Sequence, residues 1–116
     1  MEVKVLEELE GLAQALTLAG VPASVEPSEV PVPGAWVTAR TADIETLAGG
    51  GTLHAYVYLI AAENGIREAH KELGKLLALM PDTWVAGELS LNEGVALPAN
   101  PSTPLPAYRV PVDLDI

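Results

Sequence analysis

The chain has 116 residues, 49% of them hydrophobic, with ten glycines and ten prolines. That length suits one domain around a modest core, and the apolar share speaks against wholesale disorder. Sixteen acids against six bases give a formal net charge of −10, and cysteine is absent, which leaves no disulfide framework or thiolate metal site and sets the surface against nucleic-acid backbones.

The opening "MEVKVLEELEGL" carries acids where a signal peptide would carry a basic flank. No segment reaches the roughly 20 apolar residues of a membrane helix. A soluble chain made inside the cell is expected. Phe is missing, so the core must rest on Leu, Val and Ala with Trp36, Trp84 and the tyrosines.

Val5, Leu6, Leu9, Leu12, Ala13 and Leu16 recur at three- and four-residue spacing and predict a helix over 3–19. Gly20 supplies its stop. "VPASVEPSEVPVPG" holds four prolines and reads as an extended connector with a short edge strand at 23–26. "AWVTART" (35–41) predicts a strand. "TLHAYVYLIAA" (52–62) predicts a stronger one, apolar on both faces through Leu53, Ala55, Val57 and Leu59 against Tyr56, Tyr58 and Ile60, and so central in its sheet. The residues between, 41–51, read as a long hairpin loop ending in Gly49, Gly50 and Gly51.

Asn64 is a fair N-cap for a second helix, with an apolar stripe of Ile66, Ala69, Leu73, Leu76, Leu77 and Met80 stopped by Pro81. Asn92-Glu93-Gly94 predicts a turn. "AYRVPVDLDI" alternates, with Tyr108, Val110, Val112, Leu114 and Ile116 inward and Arg109, Asp113 and Asp115 outward; Pro111 suggests an edge strand or a bulge. The order predicts one α+β domain over 1–116: a small, mostly antiparallel sheet with two helices packed on one face and a long β-hairpin loop.

Chemistry is hard to find in these residues. A phosphate loop places its glycines after a strand and before a helix, with a Lys following. Here Gly49, Gly50 and Gly51 precede a strand, no Lys follows, and Asp43 and Glu45 would repel phosphate. His54 and His70 share no ligand spacing with carboxylates, and no Ser sits in a nucleophile elbow. No enzymatic activity and no cofactor or metal are expected. His70 is expected as a half-buried packing residue, and His54 as a strand residue that could face a subunit boundary.

Two patterns bear on assembly. Arg67, Lys71 and Lys75 fall four apart on the second helix and hold half of all the bases, whereas the first helix carries Glu7, Glu8 and Glu10. Either these are solvated faces with local pairs such as Glu68–Lys71, or the basic stripe meets an acidic surface of a neighbouring copy. The loop 41–51 exceeds what joining two strands requires. It is either a plain hairpin tip or a docking element with Ile44 and Leu47 as its apolar contacts.

In this order and spacing, "LAGVPASVEP", "VPVPGAWVTA", "LHAYVYLIAAENG" leading to "LLALMP", and the closing "LPAYRVPVDLDI" cover nearly the whole chain. The chain resembles the tail terminator, or tail tube capping, proteins of long-tailed bacteriophages, in the form common among phages of actinobacteria. The resemblance implies a non-catalytic α+β subunit of a virion ring, usually of six copies. Such a ring caps the tail tube, joins it to the neck or head-closure protein, and lets genomic DNA pass without specific binding; no membrane is involved. Two other roles fit the same residues: another neck or tail component, such as a head-closure protein or tube subunit, and a small non-catalytic ligand-binding or regulatory domain.

Overall fold

The computed structural model describes residues 4–44, 50–99 and 101–116. The chain runs α1 (Val5–Leu18), β1 (Ala23–Ser24), β2 (Gly34–Ile44), β3 (Gly51–Ile60), α2 (Ile66–Leu79), β4 (Ser90–Val95) and β5 (Leu105–Asp115). The strands form one mixed sheet in the order β1-β2-β3-β5-β4, antiparallel except that β1 runs parallel to β2. This is the expected α+β class, and β3 is central as its two-sided apolar pattern predicts.

α1 ends as its sequence dictates. Gly20 has φ +105, which an L side chain adopts only under strain. In that geometry its N–H donates to Thr17 O and the next N–H, on Val21, reaches back to Leu16 O at 2.9 Å. The carbonyl of Thr17 gains a donor and that of Leu16, which also accepts from Ala19 N, gains a second, while Val21 and Leu16 are both fully buried.

Alternation and register build the core. Leu53, Ala55, Val57 and Leu59 of β3 lie beside Val37 and Ala35 of β2 and Val112, Val110 and Tyr108 of β5. Those residues share one buried cluster with Leu9, Leu12, Ala13 and Leu16 of α1 and Leu73, Leu76 and Met80 of α2. A smaller cluster of Ile60, Val95, Leu97 and Ala107 packs with Trp36 and Tyr58, which belong to the other face of the sheet. Pro111 costs β5 no ladder bond. Its carbonyl accepts from Ala86 N, so its nitrogen faces that same side, away from β3 and past the end of β4.

Four expectations need correcting. Asn92, Glu93 and Gly94 lie within β4 rather than in a turn: one extra residue between Ser90 and Glu93 bulges the strand, and Ser90 Oγ spans it to Glu93 at 2.7 Å. The N-cap of α2 is Gly65 at φ +88, with no side-chain cap from Asn64. Ile66 stands 80% exposed at the first helical turn instead of in the core stripe. The loop 41–51 is shorter than expected, because β2 continues to Ile44 and β3 begins at Gly51.

Length mismatch shapes the molecule. The eleven residues of β2 span roughly 36 Å, against about 21 Å for a fourteen-residue helix. The sheet therefore outruns its helices. In β2 the residues Ala39 to Ile44 are exposed in unbroken succession.

The packing sets an expectation for stability. Leu59, fully buried on the central strand, should lose about 2–5 kcal/mol on truncation to Ala. Leu18, 82% exposed on α1, should change by less than about 0.5 kcal/mol on the same substitution. Urea unfolding of the two variants reads the difference, and equal losses would contradict the core described.

Candidate functional site

Three surface features stand out, and only parts of them are predicted from the sequence. The first is the stripe on α2. Arg67, Lys71 and Lys75 are all exposed. Among the described residues no carboxylate lies within 4 Å of any of them, so the local Glu68–Lys71 pair does not form. Glu7 is exposed and pairs loosely with Lys4 at 3.9 Å, Glu10 is exposed, and Glu8 is half-buried. α1 touches β1 and β2, whereas α2 touches β3 and β5; no pairing joins the stripe to Glu7, Glu8 or Glu10 within the subunit.

The second is the end of the sheet. Asp43 and Ile44, expected in a loop, are the last two residues of β2 and pair with Thr52 and Gly51. Glu45, Leu47 and Gly49 lie outside the described residues. Gly50 has φ +91 and open space around it. Gly51 is constrained: at φ +150, a Cβ would collide with the backbone oxygen of Asp43. The third glycine thus lets two strands close together at the bend between them. Because β1 pairs only with Ala35 and Trp36, β2 beyond them has no strand on its outer edge among the described residues. A bulge at Arg40, between the Ala39–Ala55 and Thr41–His54 pairs, interrupts that edge.

The third is the sheet face opposite the large core cluster. Trp36 and Tyr58 are register partners and stack at 5.5 Å with 21° between their planes. The indole Nε1 donates to Val25 O at 3.2 Å, which fixes the ring. Tyr56 meets Tyr58 edge-on at 6.0 Å and lies between two guanidinium groups, Arg40 at 5.2 Å and Arg109 at 4.8 Å. Arg109 also reaches Glu93 at 3.8 Å. Further along, His54 stands between two carboxylates: Nε2 is 2.7 Å from Asp43 and Nδ1 is 2.6 Å from Asp113. The Asp43 hydrogen bond, then that to Asp113, raises its pKa above the ordinary imidazole value; desolvation opposes them.

Sequence reasoning misses this third face. Its signal was present in the spacing His54, Tyr56, Tyr58, two apart on one strand, but the partners come from two other strands, and on β2 the register is shifted by one at a bulge beyond Ala39. His70 also departs from expectation. It is exposed rather than half-buried, with Nδ1 2.6 Å from Tyr108 Oη. Beside it a cleft of about 360 Å³ lies between the start of α2 and the β4–β5 edge, lined by Glu63, Ile66, Asn92, Glu93 and Leu105 among others.

No helix among the described residues is long and apolar enough to cross a membrane. Comparison with protein-family models, with curated proteins and with solved structures returned no match. The chain's own surfaces carry the functional reading.

The aromatic face can be checked by one substitution. Trp36→Phe keeps the stack on Tyr58 and removes the indole donor to Val25, so stability should fall by about 0.5–1.5 kcal/mol in urea unfolding. An unchanged midpoint would show that the indole hydrogen bond does not hold the ring.

Proposed function

We propose that this chain is a structural virion protein that assembles into a ring at the head-proximal end of a long phage tail. There it caps the tail tube and joins it to the neck. In this reading both helices lie on one face of the sheet, and the uncovered surfaces meet other subunits. The chain would act without catalysis, and the acidic surface would give passing DNA no place to stick.

One observation carries the proposal: the end of β2, exposed from Ala39 to Ile44 with no strand on its outer edge among the described residues. Strand ends that leave both faces open are costly to maintain in a lone soluble domain, because they invite unspecific pairing. A neighbouring subunit or the tube rim supplies the missing cover. Ala42 and Ile44 share the face of Leu53 by register, and Ile44 is 42% exposed. The resemblance over nearly the whole chain points to the same role. Charge adds a second support. Copies carrying −10 each repel one another, and the unpaired stripe of Arg67, Lys71 and Lys75 offers a place where a neighbour's acids are welcome. Ring contacts are heterologous, so the stripe can meet a different surface on the next copy.

Ala42→Gln with Ile44→Gln tests the strand end. Neither side chain is in the core, so stability should change by less than about 0.5 kcal/mol. A phage dependent on this variant should accumulate heads and tails that do not join, seen by electron microscopy. Normal plaque yield from a fully expressed variant would contradict a docking role.

The stripe is tested separately. Lys71→Glu with Lys75→Glu should leave the fold intact and weaken self-association at low salt. The difference from the parent should shrink as salt rises and screening shortens to a few ångströms. Equal sedimentation of variant and parent at low salt would mean that the stripe is only solvated.

A further inference from the structure

His54 lies on the central strand, directly opposite Thr41 of β2 and Asp113 of β5. Each of its ring nitrogens faces a carboxylate oxygen, on Asp43 at 2.7 Å and on Asp113 at 2.6 Å. An ionised carboxylate can only accept hydrogen bonds, and a neutral imidazole has only one N–H to give. Both contacts are therefore satisfied together only when the ring carries two protons. With one proton lost, a nitrogen lone pair would face a carboxylate at hydrogen-bond distance, which is repulsive. One contact must then open.

We propose that His54 is a proton-operated clamp: its imidazolium ties the exposed end of β2 to β3 and β5, and loss of a proton releases that end at Asp43. Asp43 is the contact that yields, because its side chain is 78% exposed against 45% for Asp113. It also belongs to the part of β2 beyond Trp36 that has no strand on its outer edge among the described residues, with only Ile44 beyond it in the ladder. The clamp concerns the strand end itself and holds whatever docks there.

The surrounding charges act on the same equilibrium. On β5, Asp115 lies two residues beyond Asp113 on the same face and favours the protonated ring. On α1, Glu8 lines a groove with Asp113, but that helix packs on the opposite face of the sheet from His54. On β2, Arg40 disfavours the protonated ring, although its guanidinium sits over Tyr56; on β5, Arg109 is likewise held over Tyr56 and near Glu93. The raised pKa of His54, caused first by Asp43 and then by Asp113, fixes the sign. The folded-state value lies above the unfolded one of about 6.5. The stabilisation is therefore complete below about pH 6.5 and disappears as pH rises through the folded-state pKa.

A proton NMR titration of the full chain tests the clamp, with His54→Gln used to tell the two histidine signals apart. The His54 midpoint should lie above 6.5. Asp43→Asn and Asp113→Asn should each lower it, and the exposed Asp43 variant keeps the test open if the other folds poorly. Amide exchange at Asp43 and Thr52, whose N–H groups face one another's strands in the β2–β3 ladder, corrected for intrinsic base catalysis and compared with Val57, should lose protection above the midpoint. In His54→Gln that pH dependence should vanish. A midpoint at or below 6.5, a midpoint that Asp43→Asn leaves in place, or protection that ignores pH would each overturn the clamp.

Discussion

The structure depends on one strand being covered nearly everywhere. β3 pairs along its length with β2 and β5 and buries Leu53, Ala55, Val57 and Leu59 in the main core. Its other face contributes Ile60 to a second, smaller cluster. A strand in that position has no alternative register. Sliding it by one residue would put Tyr56 and Tyr58 into the main core and Val57 and Leu59 on the other face. With β3 set, the hairpin to β2 and the return of β5 follow, and the helices cover what burial requires. The same constraint has a cost. Strands long enough to pair fully with β3 are longer than fourteen-residue helices can shield, and the surplus emerges as the exposed end of β2.

Much of this is legible in the residues, for identifiable reasons. The stop of α1 at Gly20, the alternation from Tyr108 to Ile116 and the central place of β3 each rest on a local rule that tertiary contacts reinforce. The failures have a common cause in backbone pairing that side chains do not advertise. Ala42 and Asp43 are small or polar and read as loop, yet pairing with β3 extends the strand through them. Asn92-Glu93-Gly94 reads as a turn, yet the extra residue is absorbed as a bulge against β5. Ile66 belongs to the helical period but precedes the turn that reaches the sheet.

The candidate surfaces divide in the same way. A stripe on one helix is a property of consecutive residues, and Arg67, Lys71 and Lys75 emerge where the period places them. The Trp36–Tyr58 stack, the two arginines around Tyr56 and the carboxylates around His54 each combine residues from two or three strands. Of these, only the placing of Arg40 and Asp43 depends on the bulge at Arg40, which changes the register between Ala39 and Thr41. Lone histidines in the sequence thus acquire partners, and a face that reads as ordinary strand alternation carries stacked rings, cation–π contacts and a paired imidazole.

The exposed strand end, the basic stripe that no described carboxylate pairs and the strong negative charge support the proposal that other proteins cover this surface. For the proposed tail role, the most direct measurement is electron microscopy of the labelled protein mixed with tail tubes assembled from the tube protein that the proposal pairs it with. Label confined to one end of each tube, with ring-shaped density there, is the result this account predicts. Tubes that stay bare at both ends, or label scattered along their length, would contradict it.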